Sequence, residues 1–229
     1  MLGGNSTPSP EARTQTNTNE AFQKLLLRID AKAAERPDPN LLIQFFCHAT
    51  REFFQCSGVY FWRRHPGDEL VGEQADGKLA ERFVGVRLLP QQSVITGGVI
   101  RSRRTTFVNH VHSAAFPAAQ EFDAHSLMAA PLLVFDEVIG AATFLHDSED
   151  EFFNEDLAAK ATVLAGQLGS LLEATRLGEV AREEHRRAEV LAEVATALHG
   201  APDLDAVTEA LADRLRLLLR TRLVSSSAT

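Results

Sequence analysis

The sequence predicts an α+β fold, with helices at both ends of the chain and a β-rich middle. Three observations carry this. Apolar residues recur at helical spacing before residue 56 and again after residue 153. Between them the period falls to two, in short runs rich in Val, Phe and Thr. Two pairs of these runs are separated by tight turn signals, which makes them hairpins.

Residues 1–19 are polar and rich in Ser, Thr, Asn and Pro. They bury too little apolar surface to offset the entropy of ordering, so they are expected to be a disordered leader. A short N-terminal helix follows over 20–36, with Phe22, Leu25, Leu26 and Ile29 at helical spacing and Arg36-Pro37 as its stop. Asp38 is the expected N-cap of the next helix and Pro39 its first residue. Leu42, Phe45, Phe46, Ala49 and Phe53 lie on one face of that helix.

Segments 59–63 and 69–75 form the first expected hairpin, turning at His65-Pro66-Gly67-Asp68. Residues 92–103 read as a helix weakened by Gly97-Gly98. A strand is expected over 105–111 and a loop over 112–125. Segments 126–135 and 138–146 make the second hairpin, joined through Asp136-Glu137. Phe153 then acts as a hydrophobic staple, Asn154 as N-cap, and Glu155-Asp156 face the helix dipole. This last helix has room for more than 40 residues before Gly200 and Pro202. Its apolar seam continues through Val180, Leu191, Val194 and Leu198 but breaks register near Gly178, as in a coiled-coil connector over 176–200.

Composition bounds the function. The 229 residues carry 31 acidic and 23 basic side chains, a formal net charge of −8. That balance argues against a general nucleic-acid or anionic-membrane binder. No apolar run reaches the roughly 18 residues that span a bilayer, and the N-terminus lacks a signal-peptide core. A cytoplasmic protein is the expectation. The two cysteines, Cys47 and Cys56, make no disulfide framework.

An internal repeat is also visible. Pro37-Asp38 opens a helix, and 18 residues after Asp38 comes Cys56-Ser57-Gly58-Val59. Pro202-Asp203 opens another, with Thr221-Arg222-Leu223-Val224 at the same distance, an offset of 165 in both pairs. Residues 201–229 are therefore expected to be the truncated start of a second copy; the plainer reading is a C-terminal helical hairpin.

Four stretches, in this order and spacing, resemble a GAF domain, the small-molecule sensory module of bacterial signalling proteins. They are LLIQFFCHATREFFQCSGVYFWR, SVITGGVIRSRRTTFVNHV, SLMAAPLLVFDEVIGAATF (with Ser126, Pro131, Leu132, Ile139 and Gly140) and EFFNEDLAAKATVLAGQLGSLLEATRL (with Phe153, Asp156, Ala165 and Gln167). The resemblance covers a GAF-like domain over 37–175. It implies a central, mostly antiparallel sheet of about six strands with helices on its faces. It also implies a ligand pocket between the sheet and the loops around 84–125. The family layout puts Trp62, Phe107, Asn109, His110, His125, Ser126 and Met128 at that pocket, with His110 and Ser126 as polar contacts.

The chain also departs from the family's better-known branches. His110 stands where many members carry Asp. The cyclic-nucleotide signature is not visible. Residues 112–125 hold no cysteine for a bilin, and Cys47 and Cys56 do not fit the methionine sulfoxide reductase arrangement.

Other candidates have plainer explanations. On a strand, His110 and His112 would share a face near His125, yet no carboxylate or cysteine completes a metal set, so a pocket wall or loop surface is the reading. Arg101, Arg103 and Arg104, with Arg63 and Arg64, could take a phosphate; the first three also suit a helix C-terminus. No nucleophile–base set, P-loop or dinucleotide fingerprint appears, so the chain is read as a non-enzyme. The leading expectation is a ligand-sensing module, of no named cofactor, in a homodimer that signals to an effector domain or kinase. The alternatives are a ligand-free dimerisation or interaction module and, third, a redox enzyme built on Cys47 and Cys56.

Overall fold

The computed structural model describes residues 10–111, 124–147 and 152–200. The chain divides into two compact units, Met1–Thr175 and Arg176–Thr229.

The first unit opens with α1 (Pro10–Ala34) and α2 (Pro39–Phe54). The leader expected over 1–19 is thus corrected: residues 10–19 are helical, and 1–9 lie outside the described residues. Pro10 needs no hydrogen-bond partner at a helix start, and each residue added to an existing helix gains a bond without a new nucleus. Arg36, at φ 53, ends the turn after α1. The predicted cap of α2 is present: the Asp38 side chain accepts the Asn40 amide at 2.8 Å. α2 buries more than the predicted stripe, because Ile43, Cys47, Thr50 and Phe54 are buried while Phe45 and Phe53 are only partly covered.

β1 (Gly58–Arg64) and β2 (Leu70–Gly77) form the first hairpin. A one-turn α3 (Ala80–Phe83), the two-residue β3 (Arg87–Leu88) and a 3-10 turn over Pro90–Gln92 lead to α4 (Ile95–Ser102). β4 is short, Thr106–Val108, and ends before His110, whose φ is 56. His110 is therefore not on a strand; His112, with which a shared face is expected, lies outside the described residues, as does most of the loop expected over 112–125.

β5 (Ser126–Val134) and β6 (Glu137–His146) form the second hairpin. Its two-residue turn is Phe135-Asp136, one place earlier than expected, with both residues at positive φ (47 and 69). Such primed turns match the strand twist, which here prevails over the steric cost of Phe at positive φ.

The sheet has six strands in the order β3-β2-β1-β6-β5-β4, and every pairing is antiparallel. Its two faces pack two separate cores. One carries Val59, Phe61, Met128, Ala130, Leu132, Ala142 and Phe144 against α1, α2 and the start of the last helix. The other carries Tyr60, Leu70, Leu127, Ala129, Ala141 and Leu145 against Phe83 of α3 and Ile95, Val99 and Ile100 of α4.

The last helix, α5, runs Glu155–Gly200. Asn154 caps it as predicted, accepting the Leu157 amide at 3.0 Å. Phe153 is buried with Ala158 in the helix-side core, the staple arrangement. In the first unit α5 buries Ala161, Leu164, Ala165, Leu168 and Leu172. In the second unit, its described residues are helical and highly charged. Glu183 pairs with Arg186 and Arg187, and His185 with Glu189, one turn apart. Residues 201–229, and with them the expected second copy, lie outside the described residues.

Candidate functional site

The α4 side of the sheet carries the aromatic and hydroxyl side chains considered as a candidate site. Strand alternation fixes what it presents. Tyr60 and Trp62 project from β1, opposite Thr143 and Ala141 of β6. Val59 and Phe61 go to the other side. Trp62 meets Phe83 edge-on, ring centroids 4.6 Å apart, and Tyr60 meets the same ring at 5.0 Å. Gly72 faces Trp62 across β1–β2 and makes room for Phe83, whose carbonyl would lie 2.5 Å from a β-carbon there.

Polar atoms on this face are few. The Tyr60 hydroxyl donates to the Lys78 carbonyl, and burial pushes its pKa up to about 12. The Thr96 and Thr143 hydroxyls are 3.4 Å apart and buried. Thr96 sits on α4 because its amide is held by the Ser93 hydroxyl at 3.1 Å. The Trp62 indole N–H is buried and meets no acceptor among the described residues. A buried donor left unpaired costs about 1–3 kcal/mol, so it is the natural place for an acceptor to arrive.

The seven residues expected at one pocket are divided by the sheet. Trp62 alone stands among the aromatic residues of the α4 face. Phe107 and Met128 are register partners on the helix-side face. Ser126 shares the parity of Met128; it is fully buried, and its hydroxyl has no partner among the described residues. Asn109 is occupied, with both ends of its side-chain amide on the Phe153 backbone. His110 is exposed. His125 serves through its backbone, donating to the His146 carbonyl at 2.9 Å and accepting the Val111 amide at 2.8 Å. The residues missed were Thr96, Thr143 and Phe83. Strand parity could have found Thr143, since it alternates with Ala142 and Phe144 and shares the side of Ala141 and Leu145; only the pairing register shows that it lies beside Tyr60.

Other chemistry finds little support. Among the described residues no three His, Cys, Asp or Glu side chains could hold a metal ion. Cys47 and Cys56 are both buried, and burial pushes both thiols far above the usual range. They stay protonated, which is unsuited to the expected redox alternative. Arg63 pairs with Glu73 at 2.8 Å, Arg64 with Asp68, and Arg101 donates to the Pro90 carbonyl at 2.9 Å, so these cations serve the fold.

Comparison with known proteins agrees with the architecture. The GAF-domain profile matches residues 38–173. The chain belongs to the GAF-domain family. This GAF domain therefore has the family's general role, ligand sensing in signalling proteins. It is similar to the GAF domain of a phosphoenolpyruvate-protein phosphotransferase from Coxiella burnetii, at 18% identity and TM-score 0.61, covering 70% of this chain and 98% of that one. It is similar to the free methionine-R-sulfoxide reductase of Neisseria meningitidis, solved with its substrate, at 22% identity and TM-score 0.60, covering 78% and 99%. A phycoerythrobilin-bound GAF domain from a cyanobacterial phytochrome matches at 14% identity and TM-score 0.60, covering 70% and 99%. At these identities the likeness is one of fold. No curated protein sequence matches the chain. Among the described residues no helix is long and apolar enough to cross a membrane.

Proposed function

We propose that this GAF domain is the small-molecule-sensing regulatory module of a bacterial, cytoplasmic signal-transduction protein of the sensor-kinase or cyclic-di-GMP kind. It acts as a homodimer and passes ligand state along α5. The observation that supports this most directly is the unpartnered Trp62 indole N–H beside Phe83 on the α4 face. A ligand with a planar apolar body and one acceptor would stack on the aromatic rings and take that hydrogen bond. No charged side chain is buried on this face among the described residues, so recognition rests on stacking and neutral hydrogen bonds. The ligand shifts the population of two packings of the helices in proportion to its differential affinity for them. We read residues 201–229 as the start of a second GAF copy.

Native mass spectrometry of freshly purified protein, beside its denatured mass, tests this. The expected result is a dimer carrying a small extra mass, lost in Trp62→Phe. A dimer without extra mass, and without a thermal shift across a small-molecule library, favours the ligand-free dimerisation module instead. The exposed Leu177, Val180 and Leu191 of α5 are the observation that suits that second reading.

A further inference from the structure

The three-residue strand β4 is gripped at both ends by α5 and the turn before it. Asn109 Nδ2 donates to the Phe153 carbonyl at 2.8 Å, and its Oδ1 accepts the Phe153 amide at 3.1 Å. One side chain thus pairs both backbone groups of the residue just before the Asn154 cap, as a neighbouring strand would. At the other end, the Thr105 and Thr162 hydroxyls hydrogen-bond at 2.7 Å. Thr162 also lies 2.8 Å from the Ala158 carbonyl, so this contact sits on the second turn of α5.

The same strand touches the other core. Val108, and Val111 just beyond it, pack with the α4-side cluster, while Phe107, immediately before Val108, packs helix-side. β4 follows α4 directly in the chain, and among the described residues its only strand partner is β5. An edge strand this short is held weakly by its ladder, so its side-chain ties carry a large share of its attachment. The Thr105–Thr162 bond is exposed and contributes the smaller part; the Asn109 bonds are partly buried, and Phe153 is 2% exposed.

We propose that β4 is a strap coupling the α4 face to the first turns of α5, with Asn109 as the positioning residue that fastens it. This rests on the sensing role assigned above, in which α5 carries the output. Displacement of Val108 and Val111 by events on the α4 face would move Asn109, and with it the backbone that sets where α5 begins. The two faces of a sheet are otherwise separated by its backbone, so a strap at the edge is a direct physical route between them.

Native-state hydrogen exchange of the ligand-free, full chain at low urea tests the coupling. The reporters are the Val111 amide, bonded to the His125 carbonyl, and the α5 amides of residues 158–162. In the wild type the two sets are expected to share one urea dependence, the mark of a common opening. Asn109→Ala is expected to speed exchange of the α5 set by roughly ten- to a hundredfold, as two neutral hydrogen bonds imply, and to separate its urea dependence from that of Val111. Asn109→Asp, which keeps the acceptor and loses the donor, should give a smaller separation. Val59→Ala, a core change remote from the strap, should speed both sets equally. Distinct urea dependences in the wild type would overturn the strap, and so would an Asn109→Ala effect indistinguishable from that of Val59→Ala. No ligand enters the experiment, so its failure is separate from a failure to find one.

Discussion

Gly97 lies so close to Pro90 that a β-carbon on it would sit 1.6 Å from the Pro90 carbonyl oxygen. The same carbonyl accepts the Arg101 guanidinium at 2.9 Å, so α4 is seated on the 3-10 turn at two points. Gly98, next in the chain, has nothing within 4 Å of the corresponding position. Helix propensity favours alanine over glycine by about 1 kcal/mol at both places. At Gly98 propensity acts alone, so Gly98→Ala should stabilise the protein by about 0.5–1 kcal/mol. At Gly97 the clash with fixed backbone outweighs it, and Gly97→Ala should destabilise by about 1–3 kcal/mol. Urea unfolding of the two variants checks the opposite signs.

That pair also marks how far the sequence could be read. Gly97-Gly98 was visible as a weakness in a helix, but only packing distinguishes a required glycine from a dispensable one. Asp38 and Asn154 were legible as caps because a cap is a local bond, made within a few residues. The two hairpins were legible from alternation. The site was not. Phe107 and Met128 are aromatic or soft apolar residues in the right stretch, as a pocket would need, but a single-residue difference in register puts a strand residue on the opposite face. Asn109 looked like a ligand contact because its side chain is a good hydrogen-bonding group in the right loop. Its bonds go instead to Phe153, 44 residues away, a pairing that no local pattern encodes.

The cysteines provide a second prediction. Both are buried, Cys47 in α2 and Cys56 just before β1, and neither has a stabilised thiolate. In the native protein both should react with a thiol reagent far more slowly than in the urea-unfolded chain, by at least about a hundredfold. Time-resolved labelling followed by intact mass reads this directly. Fast native labelling of either residue would reopen the redox reading.

A third prediction concerns pH. His146 stacks on Phe152, ring centroids 3.6 Å apart and planes within 10°. Burial lowers its pKa below the ordinary imidazole value, and the neighbouring Asp147 carboxylate opposes that only in part. The unfolded chain therefore binds the proton more readily than the folded one. The stability contributed by neutral His146 is complete above the unfolded pKa of about 6.5 and is lost as pH falls toward the lowered folded value. The urea midpoint should accordingly fall between pH 7 and pH 5, and His146→Phe, which keeps the stacking, should flatten that fall. An unchanged slope in His146→Phe would assign it to other groups.

The last prediction uses Trp62 as its own reporter, because it is the only tryptophan in the chain. All indole fluorescence therefore comes from the α4 face. The ring lies edge-on to Phe83, and its N–H has no acceptor among the described residues. A ligand that supplies the acceptor polarises the indole, and one that stacks nearby changes its quenching. A true ligand from a small-molecule library should therefore shift or quench the emission with the same midpoint that a thermal-shift titration gives. Tyr60→Phe should leave that midpoint within about threefold, since its hydroxyl is already committed to Lys78. Thr143→Val keeps the shape and removes a hydroxyl from the same face, so it should weaken a ligand that hydrogen-bonds there by about 0.5–1.5 kcal/mol. Binding that raises Tm while leaving the emission untouched would place the ligand elsewhere on the protein and remove Trp62 from the site.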